Sequence, residues 1–140
     1  MSATHKKTLD PKNNRLYNIL LVNDDNNFIN KLNKNLSKKY KVSIANNGYE
    51  AIKKLKEIQR PDLIISDIHM PVMDGHIFLE ELSKLDNYYL IPFIFILPSF
   101  SDNIIIKSRE EGVIDYITKP FKNSELEAKI ESLIYREYDI

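Results

Sequence analysis

Short, nearly unbroken apolar runs alternate along this sequence with stretches whose apolar residues recur every three or four positions. No other feature limits the available folds so sharply. A run such as YNILLV (17–22) lacks polar alternation, so both its faces must be buried, as in a parallel sheet. NDDNN ends that run, and FINKLNKNLSKKY follows with Phe28, Leu32 and Leu36 at helical spacing. YKVSIA (40–45) predicts a second strand closed by NNG, and YEAIKKLKEI sets Ala51, Ile52, Leu55 and Ile58 on one helical face. DLIIS is the third strand, and HIFLEELSKL is helical through Phe78, Leu79 and Leu82. IPFIFIL (91–97) is the fourth strand, SDNIIIKSREEG a helix ending at Gly112, and IDYIT the fifth strand. In the last helix, NSELEAKIESLIYREY, residues Leu126, Ile130, Leu133 and Ile134 face inward. Five strands alternating with five helices predict an α/β domain, a doubly wound five-stranded parallel sheet with helices on both faces. Right-handed crossovers narrow its strand order to 2-1-3-4-5.

Composition removes several function classes. Lys+Arg and Asp+Glu both number 20, without the basic excess expected of a nucleic-acid-binding domain. The chain has no cysteine, which excludes disulfides, thiol nucleophiles and zinc-thiolate sites. No apolar run reaches membrane-spanning length, and MSATHKKTLDPKNNR lacks the apolar core of a signal peptide. The sequence therefore predicts a cytoplasmic protein with neither a membrane nor a nucleic-acid partner. Residues 1–15, polar and without apolar period, read as a flexible N-terminal arm, and 16–140 as one domain.

In doubly wound sheets ligands sit at the carboxyl ends of the strands, near the switch in strand order. Strand one is followed by Asn23, Asp24 and Asp25, and strand three by Asp67, Ile68 and His69. Strand four ends in Leu97, Pro98 and Ser99, and strand five in Thr118, Lys119 and Pro120. One aspartate ending a strand is commonly a turn or a cap. Acids from strands one and three and a lysine from strand five at the same edge are a stronger signal. Carboxylates beside a lysine suit Mg2+, which takes one or two carboxylates, keeps several waters and bridges to phosphate oxygens. The lysine supplies a point charge for a phosphoryl group, and a carboxylate can itself be the nucleophile, giving an acyl phosphate.

Four segments, ILLVNDD, PDLIISDIHMPVMDG, IPFIFI and DYITKPF, resemble the response regulator receiver domain of two-component signalling, chemotaxis regulators included. The resemblance covers roughly 17–138 and implies a flavodoxin-like fold. It implies that Asp67 is the phosphoacceptor, taking its phosphoryl group from a histidine kinase or phosphotransfer protein. It also implies Mg2+ held directly by Asp24, Asp67 and the backbone carbonyl of His69, with Asn23 acting through a water. Lys119 would contact the phosphoryl group, and the Lys119–Pro120 bond would be cis. Tyr116 matches the aromatic switch residue coupling phosphorylation to the face of helix four, strand five and helix five. That face would meet a downstream protein target or a second copy in a homodimer. A receiver signals; at most it catalyses its own phosphorylation and dephosphorylation.

The sequence leaves the family pattern at two places. Strand one ends in Asn23 where the family has an acid, which removes one negative charge while keeping an amide oxygen able to accept from a metal-bound water. Asp25 is expected to cap helix one. Strand four ends in Leu97 and Pro98, where the family has Thr or Ser and then a small residue. Leucine has no hydroxyl and proline no N–H, so two phosphoryl donors are missing together. A pseudo-receiver, regulated by protein contact without phosphorylation, is therefore the alternative. An aspartate-nucleophile phosphatase would place Asp-x-Asp after strand one, which NDDNN does not match, and a flavin carrier would need a Ser/Thr/Gly-rich cradle there. The lysines 31, 34, 38, 39 and 41 form a solvated helix face or a kinase-docking surface, and Ile104, Ile105 and Ile106 cannot all face one core. The 140 residues leave no room for an output domain, so the expectation is either a single-domain regulator acting by protein contact or the front part of something larger.

Overall fold

The computed structural model describes residues 15–70, 73, 75–85, 91–98 and 115–135, together with the backbone of 9–10. The helix expected over 101–112, which carries the isoleucines 104–106, lies outside the described residues, as do Pro71, Asp74 and Ser99.

Five strands form one sheet: β1 (Asn18–Val22), β2 (Lys41–Ala45), β3 (Leu63–Asp67), β4 (Phe93–Leu97) and β5 (Asp115–Thr118). Their spatial order is β2-β1-β3-β4-β5, and every pairing is parallel. This is the expected 2-1-3-4-5 sheet, with its switch between β1 and β3. The registers Val22↔Ser66 and Asp67↔Ile96 bring the carboxyl ends of β1, β3 and β4 level. A separate two-residue ladder pairs Leu9 with Leu16 and Asp10 with Arg15.

Three helices, α1 (Asn26–Leu36), α2 (Gly48–Leu55) and α3 (Gly75–Ser83), precede a last helix, Asn123–Ile134. Alternation along each central strand feeds two cores. Ile19 and Leu21 of β1 join Ile65, Ile94 and Ile96 under α1 and the last helix. Leu20 and Val22 join Ile64, Phe93, Phe95 and Leu97 under α2 and α3. All five residues of β1, β3 and β4 are buried, which explains why their sequences carry no polar alternation. The inward face of the last helix holds Leu126, Ile130, Leu133 and Ile134, as its spacing predicts. In α1, Ile29, Leu32 and Leu36 make the buried stripe, whereas Phe28 is half-buried and packs at the margin of that core.

The helix starts are fixed locally. Asp25 caps α1, its carboxylate accepting from Phe28 N at 3.1 Å, and Asn47 caps α2 by accepting from Glu50 N at 2.9 Å. At the opposite edge of the sheet, Asp62 accepts from Asn18 N at 2.7 Å and from both terminal nitrogens of Arg15.

Candidate functional site

Asp67 is the last residue of β3, one of the two strands that flank the switch point, and its backbone position is held from two sides. Ser66 Oγ donates to the Asp67 carbonyl at 2.8 Å, and Gly75 N donates to Ile68 O at 2.9 Å. These contacts fold the start of α3 back over the strand end. Asn23 and Asp67 are buried polar residues, 2% and 7% exposed, so their side chains need internal partners.

The partners are found at the ends of β1 and β5. Asp67 Oδ1 accepts from the N–H of Ile68 at 2.8 Å. Asp67 Oδ2 accepts from Asn23 Nδ2 at 3.3 Å and from Lys119 Nζ at 3.4 Å. Both distances exceed the 2.7–2.9 Å typical of a charge-assisted N–H···O contact, so the ammonium sits beside the carboxylate without being clamped to it. Lys119 Nζ lies at the same time 4.4 Å from the centroid of the Phe28 ring. Phe121 meets Phe28 edge-on, with centroids 6.1 Å apart. The half-buried Phe28 thus supports the lysine from below, a cation–π contact with a second ring behind it. Backbone bonds set the frame, since Asn23 N donates to Ala45 O at 3.1 Å and Lys119 N to Leu97 O at 2.8 Å. The Lys119–Pro120 bond is cis.

Of the residues singled out in the sequence, Asn23, Asp67 and Lys119 are thus brought into direct contact. Asp24 and His69 are exposed beside them. Leu97 is fully buried in the apolar core of the α2–α3 face, and half-buried Tyr116 packs against that same cluster. Pro98 is exposed. On the other side of Tyr116, Lys129 pairs with Asp115 at 3.1 Å and lies 6.0 Å from the Tyr116 ring. Phe28, Phe121 and the N–H of Ile68 were not legible as site components. Phe28 in particular has the spacing of a core residue, and only the packing turns it toward Lys119.

Among the described residues, no group of three or more His, Asp or Glu side chains is close enough to cage an ion. Two carboxylates, Asp24 and Asp67, and the backbone of His69 stand at neighbouring strand ends. An oxygen-only set with few protein ligands fits Mg2+, which retains most of its water, and does not fit an ion demanding a full protein cage.

A doubly wound sheet with an aspartate at the end of its third strand and a lysine beside it, at the edge of the switch point, defines a receiver-type domain. The family described as response regulator receiver domain matches residues 19–131. The probable transcriptional regulator ycf29 of Porphyra purpurea is 39% identical over 122 residues, which are 86% of this chain and 58% of that protein. The transcriptional regulatory protein PrrA of Mycobacterium leprae is 34% identical over 84% of this chain and 50% of its own length. Hybrid signal transduction histidine kinase D of Dictyostelium discoideum is 38% identical over 83% of the chain but only 8% of its own length. This chain therefore spans about half the length, or less, of these three relatives. Among solved structures, the receiver domain of a signal transduction histidine kinase from Syntrophus aciditrophicus superposes with TM-score 0.78 at 32% identity, covering 89% of this chain and 94% of that one. The Vibrio cholerae chemotaxis protein CheY4 superposes with TM-score 0.80 at 26% identity, covering 84% and 98%.

The chain belongs to the response regulator receiver domain family of two-component signal transduction. Members of that family signal rather than act as enzymes. Phosphorylation on aspartate, dependence on Mg2+ and interaction with histidine kinases are general to them. Among the described residues no helix is long and apolar enough to cross a membrane.

Proposed function

We propose that this receiver, residues 16–140 behind an N-terminal arm 1–15, accepts a phosphoryl group on Asp67 from a histidine kinase or phosphotransfer protein in the cytoplasm. The observation that carries the reading is the convergence of Lys119 Nζ and Asn23 Nδ2 on one oxygen of a nearly buried Asp67 carboxylate at the switch-point edge. Asp67 attacks phosphorus as its carboxylate, so no proton has to leave it. The new O–P bond forms as the donor's own bond to phosphorus breaks, and the leaving group keeps that electron pair. Lys119 sits where it can neutralise phosphoryl charge. Asp24, Asp67 and the His69 carbonyl would hold Mg2+, with Asn23 beside it through water, and the ion supplies further charge neutralisation when bound.

The signal leaves through the face that β5 shares with the last helix, toward a downstream protein target or a second copy. Tyr116 lies on that face, between the Leu97 cluster and the Asp115–Lys129 pair. In this protein the end of β4 is filled by the fully buried Leu97 side chain, which has no hydroxyl to move. That filling favours the second reading, a pseudo-receiver that binds its partner without phosphorylation and has no nucleic-acid contact of its own.

Intact mass after incubation with acetyl phosphate and Mg2+, with Asp67→Ala alongside, decides between them. A single phosphoryl adduct on the wild type and none on the variant is the expected result. A folded wild type that takes no adduct at saturating Mg2+ assigns the protein to the pseudo-receiver class, and Leu97→Thr with Pro98→Ala is then the pair to revert.

A further inference from the structure

Two donors that a receiver offers to the phosphoryl group are absent here, because Leu97 carries no hydroxyl and Pro98 no N–H. Asn23 stands at the same site in an orientation that its neighbours determine. The N–H of Asp25 points at the Asn23 side chain, 2.7 Å from the atom it meets. A backbone N–H can only donate, so that atom is the amide oxygen. The amide nitrogen is then necessarily the end that faces Asp67 Oδ2, at 3.3 Å. Burial reinforces the arrangement, since Asn23 is 2% exposed and both ends of its amide are satisfied by protein.

An acid at position 23 would fill the same local role toward Asp25 but would offer Asp67 no donor. It would also change the charge of the site. Asp24, Asp67 and Lys119 together carry −2 + 1 = −1, and an acid at 23 would make that −3 + 1 = −2. With asparagine, less like-charge repulsion acts on the buried Asp67 carboxylate, so less of its stability depends on a cation.

We propose that Asn23 is a catalytic residue of this receiver: through Nδ2 it donates first to the Asp67 carboxylate and then to an oxygen of the phosphoryl group built on it, replacing the donors missing at Leu97 and Pro98. The inference rests on Asp67 being the phosphoacceptor. The donor role belongs to Nδ2 and stands beside the acceptor role that Oδ1 of the same side chain has toward a metal-bound water. The consequence is a receiver in which Asn23 Nδ2 supplies part of the charge neutralisation at Asp67 that a cation would otherwise supply alone.

Two variants of the full chain separate the donor from the fold. Asn23→Asp keeps an oxygen for the Asp25 N–H and removes only the NH2, while adding a charge. Asn23→Ser stays neutral and keeps a short acceptor for the same N–H, while its hydroxyl, one bond nearer the backbone than Nδ2, falls short of Asp67 Oδ2. Far-UV circular dichroism establishes that both are folded. Labelling by acetyl phosphate is then read by intact mass across a Mg2+ titration. At limiting Mg2+ both variants are expected to lose about tenfold in labelling, the size of one hydrogen bond to a charged group. At saturating Mg2+, Asn23→Asp recovers and Asn23→Ser does not. Independently, the side-chain amide resonances of Asn23 should move when beryllofluoride and Mg2+ are added, more than those of the exposed Asn27. Wild-type labelling at all Mg2+ concentrations in Asn23→Ser, or Asn23 amide resonances that do not move, overturns the donor role. A wild type that takes no label overturns the phosphoacceptor reading instead and takes the phosphoryl role of Asn23 with it, while amide resonances that respond to Asp67→Ala still establish the resting contact.

Discussion

At Gly75 a methyl group would lie 2.7 Å from the Asp67 carbonyl oxygen, 2.7 Å from Phe95 Cε1 and 2.9 Å from Ile68 Cα. Two of these three obstacles are backbone atoms, which cannot swing aside as a side chain can. The glycine is therefore required by close approach: it lets the first turn of α3 rest directly on the strand end carrying Asp67. Gly75→Ala is expected to lower the unfolding free energy by about 1–3 kcal/mol, the usual cost of overpacking. Urea unfolding measures that change, and an unchanged midpoint would mean that the α3 start has room to retreat. Because the displaced atoms belong to Asp67 and Ile68, labelling of Asp67 should fall as well. The sequence shows only an Asp-Gly pair; that the glycine is pressed against the acceptor's own carbonyl appears only once α3 is packed.

At the scale of elements, the site is an agreement between the first turn of α1 and the segment after β5. Phe28 of α1 lies under the Lys119 ammonium at 4.4 Å, and Phe121 braces Phe28 edge-on. Phe28 sits one turn past the Asp25 cap, and the cap bond runs to its own N–H, so the helix start that positions Asn23 also positions the ring. Phe28→Leu keeps the helix and most of the apolar volume but removes the ring face, worth about 0.5–1 kcal/mol at a partly exposed site. The expected outcome is a Lys119 side chain freer to close on Asp67. It would be seen as a changed Lys119 Nζ resonance and a changed rate of labelling by acetyl phosphate, with Phe28→Tyr behaving as wild type. A Leu variant with the wild-type resonance and rate would show that the ring has no hold on the lysine. Lys39, in the turn after α1, ties that turn to the last helix by pairing with Glu127 at 3.5 Å. One of the five basic residues of that surface is thus engaged within the fold, while Lys31, Lys34, Lys38 and Lys41 are exposed.

At the scale of the whole molecule, the two cores share one sheet and so should melt together. Leu20 and Leu21 are adjacent residues of β1, yet they face opposite cores. Leu20→Ala and Leu21→Ala are each expected to cost about 2–5 kcal/mol. Each should shift a single unfolding transition that tyrosine fluorescence and far-UV circular dichroism report at the same denaturant concentration. Separate transitions by the two probes would show that the layers unfold independently.

Much of this protein was decided by its sequence alone. The alternation of doubly buried strands with amphipathic helices specifies a parallel sheet, because no other arrangement buries both faces of runs such as NILLV and FIFIL. Chain order and crossover handedness then place residues 23, 67 and 119 at one edge before any coordinate is known. The inner stripe of the last helix follows from its period in the same way. What tertiary structure alone decided is orientation within that edge. Phe28 obeys the helical spacing of a core residue and packs at the margin of the core, but its ring also lies under Lys119, because Ile29 completes the buried stripe. Which end of the Asn23 amide meets Asp67 depends on the Asp25 N–H, two residues on in the chain but set by the turn into α1. Hydrophobic burial is non-directional and follows period, so a sequence pattern records it. Hydrogen bonds and close approaches depend on angles and tenths of an ångström, which exist only after the elements have packed.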